Sequence, residues 1–174
     1  VTDRKRMEQR LEYEAYHDHL TGLPNRAYLL DCLEEYRVRA GEGKQPGGDV
    51  VLLYLDVDDM KTVNDLLGHR TGDRFLNRVA DRLAGALRPE DVVCRVGGDE
   101  FVIVLQDCDS EQEAGEIAER LVDCFSDYFR VEGQPIESSC SIGIASSSQL
   151  EDNHGVEDLI GRADLAMFEA KQET

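Results

Sequence analysis

The chain is poor in positive charge. Nineteen lysines and arginines stand against 37 acids in 174 residues, a formal charge of −18. A nucleic acid polymer needs clustered cations against its phosphates, so that class of partner is disfavoured; a single nucleotide held through a metal is not. No apolar run approaches the ~18 residues of a membrane span, and no secretory leader is visible. The five cysteines, Cys32, Cys94, Cys108, Cys124 and Cys140, form no C-x-x-C pair and are odd in number. A zinc site or disulfide framework is therefore disfavoured, and a reducing, cytoplasmic compartment is expected. Repeats and low-complexity segments are also missing. The sequence opens Val1-Thr2-Asp3 without a methionine, and reads as a piece of a longer protein whose remainder could carry membrane segments.

What is present suits one globular domain. Hydrophobic residues make up 41% and charged residues 32%, enough for a sizeable core and too apolar for disorder. Residues 3 to about 18 read as a helix with a narrow apolar stripe of Met7, Leu11, Ala15 and Tyr16, either a solvated leader or the end of a coiled-coil stalk. Helices are expected over 26–40, with Leu29, Leu30, Leu33 and Tyr36 inward, over 60–67, from about 72 to the break at Arg88-Pro89-Glu90-Asp91, over 111–130 and over 156–171. A polar loop is expected over 41–48. Strands are expected over 50–55, on both sides of Gly97-Gly98, and once or twice over 135–145. Strands do not alternate singly with helices. The expected fold is α+β, a mixed, mainly antiparallel central sheet flanked by helices.

Two acidic stretches carry chemistry. The run Val50-Val51-Leu52-Leu53-Tyr54-Leu55 reads as a buried central strand and ends in Asp56-Val57-Asp58-Asp59. Gly97-Gly98, a hairpin turn signal, leads at once into Asp99 and Glu100. Acids clustered at the end of a buried strand and on a buried hairpin are costly unless a cation neutralises them. Oxygen ligands of this kind suit Mg²⁺, or Mn²⁺, completed by waters and substrate phosphates. The alternative is an ordinary acidic hairpin tip facing water. The opening of the next helix, Asp59-Met60-Lys61, offers free N–H groups and a dipole to an anion.

The chain resembles the GGDEF domains, the diguanylate cyclases. Gly97-Gly98-Asp99-Glu100-Phe101 matches the signature that names them. Asp18-His19-Leu20-Thr21-Gly22-Leu23-Pro24-Asn25-Arg26, Asp56-Val57-Asp58, Asn64-Asp65, Gly68-His69, Gly72-Asp73, Ser141-Ile142-Gly143-Ile144-Ala145 and Ala163-Asp164 through Ala170-Lys171 fall in the family's order and spacing. The resemblance implies a fold similar to the palm of polymerases and adenylyl cyclases. It divides the chain into the end of a signalling helix, 1–17, and a catalytic domain, 18–174. It implies condensation of two GTP into cyclic di-GMP with loss of pyrophosphate, by a homodimer controlled from an upstream sensor domain. Asp56, the Val57 carbonyl, Asp99 and Glu100 would hold metal, Asp99 acting also as base. Asp58 either binds metal or supports its neighbours. Asp59, Met60 and Lys61 would meet the triphosphate, Asn64 and Asp73 the guanine, His69 the substrate between them, and Lys171 the phosphates. Arg88 and Asp91, five residues before Gly97, match an inhibitory product site, or else form a surface ion pair; both are expected to project from a turn. Met60 stands where Phe is usual, and Met167-Phe168 where Leu-Tyr is usual. After Lys171 come Gln172-Glu173-Thr174, with none of the family's usual arginine. Two other readings remain: a module that binds GTP or cyclic di-GMP without catalysis, and a polymerase palm, which lacks a basic track for a template.

Overall fold

The structure is a computed structural model that describes residues 2–41, 49–108, 110–150 and 154–173. Six helices and six strands follow one another as α1 (Asp3–Tyr16), α2 (Arg26–Gly41), β1 (Val51–Val57), α3 (Met60–Leu67), α4 (His69–Gly85), β2 (Val92–Arg95), β3 (Glu100–Leu105), α5 (Glu111–Asp123), β4 (Phe129–Val131), β5 (Gln134–Ile136), β6 (Cys140–Ser146) and α6 (Val156–Gln172). The main sheet has the order β2-β3-β1-β6, and every pairing in it is antiparallel. The α+β fold expected from the sequence is the observed one. No described helix is long and apolar enough to cross a membrane.

β1 is buried along its whole length because both faces of the sheet are covered. Alternation along the strand sends Leu53, Leu55 and Val57 to one face, where α3, α4, α5 and the small β4–β5 hairpin pack. Leu52 and Tyr54 go to the other face, under α2 and α6. α1 stands apart. It buries no residue, and Met7 and Leu11 are 67% and 61% exposed.

Several boundaries differ from expectation. β1 continues to Val57, so Asp56 lies inside the strand rather than beyond it. Gly68, at φ 89°, both ends α3 and caps α4, so α4 starts at His69 and not near residue 72. α4 also ends at Gly85, ahead of the proline, and Leu87 reaches the core from the turn beyond it. The helix expected over 111–130 stops at Asp123. Phe125 keeps helical spacing from Leu121, which disguises the stop. Phe125 and Phe129 instead fold inward, the Phe129 ring lying 5.3 Å from that of Phe125 and 5.1 Å from that of Phe75. The β4–β5 hairpin that follows turns on Glu132 and Gly133, at φ 52° and 80°. Of the expected 41–48 loop, residues 42–48 lie outside the described residues, and Gly41 closes α2.

Candidate active site

The acids meet at one end of the sheet, on the face covered by α6. Asp56 pairs across the strands with Glu100 on one side and Ser141 on the other. Asp56 is only 8% exposed, and its Oδ1 is buried with no hydrogen-bond partner. Burial pushes its carboxyl above the ordinary value; the Lys171 ammonium opposes that shift, and the charge of Asp99 adds to it. The Tyr54 hydroxyl donates to Glu100 Oε2 at 2.7 Å, and burial first, then that bond, raises the phenol's pKa. Asp58 is held differently: Ser139 and Ser141 donate to it at 2.8 and 3.1 Å. Among the described residues no three His, Cys, Asp or Glu side chains gather closely enough to hold a metal unaided. Two carboxylates and an orphaned buried oxygen still fit Mg²⁺, which leaves part of its shell to water and phosphate.

The hairpin loop is built from Val96 to Asp99. It has four residues rather than the two of a tight Gly-Gly turn, and neither glycine has positive φ. A Cβ on Gly97 would lie 3.1 Å from Glu100 Oε2, a close contact that a small shift of the glutamate end would relieve. The loop is fastened from two sides. Val57 N–H donates to the Asp99 carbonyl at 3.0 Å. Arg95 donates to Gly98 O at 2.8 Å and to both oxygens of Asp18 at 2.9 and 3.1 Å. Burial works against the Asp18 carboxylate, but hydrogen bonds from Thr21 and the Arg95 guanidinium hold its pKa below the ordinary value.

α3 and α4 form a wall that follows directly in the chain on the acids that end β1. Asp59 precedes α3 in the left-handed region, at φ 61°, and its side chain does not cap the helix. Met60 is buried, while Lys61 is exposed. α3 and α4 meet where Gly72 faces Asn64, and a Cβ on Gly72 would stand 1.9 Å from Asn64 Oδ1. That approach sets Asn64 beside the turn that carries Asp73, which is exposed, as is His69.

Lys171 arrives from the last turn of α6 and donates to Asp56 Oδ2 at 2.8 Å, with Asp58 Oδ1 at 3.8 Å. Gly143 makes this approach possible. A Cβ there would lie 2.0 Å from the Met167 nitrogen and 2.2 Å from the Ala163 carbonyl, both helix backbone.

Arg88 and Asp91 do not both project from their turn. The Asp91 side chain is 0% exposed and accepts from the Arg88 N–H at 3.0 Å and from its guanidinium at 3.0 and 3.2 Å. Arg88, 31% exposed, also meets Glu113 at 3.2 Å. A side chain three positions away across a proline turn reaches back to the arginine's own N–H, and this covers the acid. The pair lies beyond the start of β2, at the end of the hairpin remote from Asp99. The structure thus gathers Asp56, Val57, Asp99, Glu100 and Lys171, sets Asp59, Met60, Lys61, Asn64, His69 and Asp73 on the α3–α4 wall, and keeps Arg88 and Asp91 apart. Tyr54, Ser139 and the Arg95–Asp18 clamp had no role in the sequence reading. Tyr54 was findable, since a residue two before Asp56 in a strand shares its face.

A family model described as "Diguanylate cyclase, GGDEF domain" matches residues 15–174. An uncharacterized protein of Mycobacterium tuberculosis, Rv1354c, is 42% identical over 98% of this chain and 26% of its own length. Diguanylate cyclase TpbB of Pseudomonas aeruginosa is 36% identical over 94% of this chain and 37% of its own. The chain therefore spans well under half of either relative. The solved GGDEF domain of TpbB superposes with a TM-score of 0.83 at 36% identity, covering 91% of this chain and 90% of that one. The coiled coil and GGDEF domain of DgcB from Caulobacter crescentus, solved with c-di-GMP, gives 0.84 at 26% identity over 98% and 87%.

Proposed function

The chain belongs to the GGDEF family of diguanylate cyclases, and from that premise we propose that it condenses two GTP into cyclic di-GMP with release of pyrophosphate. The observation that carries this reading is the meeting of Asp56 and Glu100 across two strands, with Asp56 Oδ1 buried and unpartnered. A group arranged in that way awaits a cation. Asp56, Asp99, Glu100 and the Val57 carbonyl would hold Mg²⁺ or Mn²⁺. Such an ion, once bound, supplies charge stabilisation to a transferring phosphoryl group.

The chain's own residues do the rest. The α3 N-terminus and Lys61 bind the triphosphate through uncapped N–H groups and an ammonium. Asn64 and Asp73 read guanine, the carboxylate accepting from two ring-edge donors that adenine lacks, and His69 contacts the substrate between them. Asp99 takes the proton of the attacking 3′-hydroxyl. Tyr54 orients Glu100 by its 2.7 Å hydrogen bond. Each domain holds one GTP, so the reaction needs a homodimer in which each 3′-hydroxyl faces the other α-phosphate. The apolar stripe on the unpacked α1 supports a stalk that pairs two copies behind an upstream sensor. On this reading 1–17 is the end of that stalk and 18–174 the catalytic domain, working in the cytoplasm. Arg88 and Asp91 form the site for inhibitory cyclic di-GMP.

The test is incubation with GTP and Mg²⁺ or Mn²⁺, followed by identification of the product. Cyclic di-GMP is expected from the wild type and not from Asp99→Ala or Glu100→Ala, both of which should fold because these side chains lie outside the apolar core. Binding of GTP without turnover would replace this reading with a regulatory module.

A further inference from the structure

Lys171 has a second position to answer for. Its ammonium sits on Asp56 Oδ2 at 2.8 Å, on the carboxylate that the proposed function gives to a divalent cation. A buried carboxylate is costly without a counter-charge, and Lys171 is the cation that supplies it here. We propose that Lys171 holds the metal's seat in the nucleotide-free domain, so that a divalent cation binds tightly only once a triphosphate draws the lysine away. The inference rests on Asp56 being a metal ligand.

The geometry forces the competition. A divalent ion sits about 2.1 Å from a carboxylate oxygen. The Lys171 ammonium lies on the other oxygen of the same carboxylate, so an ion at Oδ1 would face it as a near like charge, and the repulsion at so short a range is large. The Asp58 carboxylate gives the Lys171 ammonium a longer contact than Asp56 does. Asp58 Oδ1 is 3.8 Å away and already accepts from Ser141 at 3.1 Å. The close packing of α6 on Gly143 fixes the backbone from which the side chain reaches. The side chain itself is 41% exposed, so an arriving triphosphate can reach it. Metal and nucleotide then help each other bind, by the same factor in either order.

The probe is Mn²⁺, titrated into the full 174-residue chain with its free signal followed by electron paramagnetic resonance. Titrations are run with and without a non-hydrolysable GTP analogue, on the wild type, Lys171→Met and Lys171→Arg. For the wild type, the analogue should tighten Mn²⁺ binding about tenfold or more. Lys171→Met should bind Mn²⁺ about tenfold more tightly than wild type without nucleotide, and gain less from the analogue than wild type does. Lys171→Arg, which keeps the charge, should behave as the wild type does. An unchanged or weakened Mn²⁺ affinity in nucleotide-free Lys171→Met overturns the proposal while leaving the metal reading in place. Absence of Mn²⁺ binding in all three proteins, even with the analogue, overturns the metal reading and this proposal together. Matched thermal denaturation of the three proteins shows that each is folded.

Discussion

Replacing Gly143 by alanine tests how α6 places Lys171. The added methyl would stand 2.0 Å from the Met167 nitrogen, 2.2 Å from the Ala163 carbonyl and 2.7 Å from the Ala166 carbonyl carbon. None of these atoms belongs to a flexible side chain, so the helix has to move as a body. Ordinary contact begins near 3.4 Å, which asks for a displacement of about 1.4 Å. The helix buries Leu159, Ile160, Ala163 and Met167 against the sheet, and lifting it loosens all four. Overpacking of this kind costs about 1–3 kcal/mol; at the middle of that range, a domain of this size should lose roughly 4–8 °C of Tm. One turn beyond Met167, Lys171 would leave its 2.8 Å hydrogen bond to Asp56. Denaturation in urea measures the first effect, and initial rates of GTP turnover the second. Both should fall, and Gly143→Ser should behave alike. A Gly143→Ala protein of wild-type stability and rate would refute the reasoning, since it would mean that α6 has slack the packing does not show.

Three further outcomes follow from the site. Asp73→Ser should weaken the preference for GTP and admit ATP, because a hydroxyl cannot accept two guanine protons; mixed-nucleotide competition reads this, and unchanged selectivity would leave Asp73 a surface acid. Arg88→Ala should relieve inhibition by added cyclic di-GMP and keep the initial rate within about twofold. It should also lose about 1–3 kcal/mol, because the covered Asp91 carboxylate loses its guanidinium; a lowered rate with intact inhibition would show an ion pair and nothing more. Asp18 has a pKa below the ordinary value, so its contribution to stability is fully present above about pH 4 and fades as pH falls below that. Asp18→Asn should flatten the acid limb of a Tm-against-pH curve, and a limb as steep as the wild type's would place the acid sensitivity elsewhere.

The sequence made the β1 core, the α3 span and the two acidic stretches legible for one reason. Each is a local pattern: an apolar run, a helical period bounded by Gly68, acids next to both. The errors arose where long-range packing overrides local spacing. Phe125 and Phe129 continue a helical rhythm after Asp123, but the ring of Phe75 draws them out of it. Gly97-Gly98 carries the composition of a tight turn, yet neither glycine has positive φ and the loop around them is longer. Asp91 was expected to project because proline breaks a helix. It is covered because its carboxylate satisfies the N–H that the break exposes. The Asp56–Lys171 bond spans 115 positions of sequence, and nothing local to either residue announces it.

The clamp at Arg95 links the end of α1 to the 96–99 loop in a few steps. The last turn of α1 is held by Asn25, whose side chain donates to the Ala15 carbonyl at 3.0 Å and whose N–H donates to Tyr16 O at 2.9 Å. Next to Asn25, the Pro24 carbonyl accepts from the Arg95 N–H at 2.9 Å. The Arg95 guanidinium then bridges Asp18 and Gly98, with both charged side chains largely covered, at 15% and 19% exposure. Gly98 is bonded in the chain to Asp99, and Asp99 is fixed to β1 through Val57. These bonds form a continuous path from the end of α1 to the loop that carries Asp99. An ion pair between two exposed chains would screen away such a link; a half-buried, forked one keeps its geometry. α1 buries no residue fully, and its end is tied to the domain by this chain of hydrogen bonds together with the Tyr16 hydroxyl, which donates to Asp31 Oδ2 at 2.6 Å, and the Tyr16 ring, which meets Tyr28 edge-on.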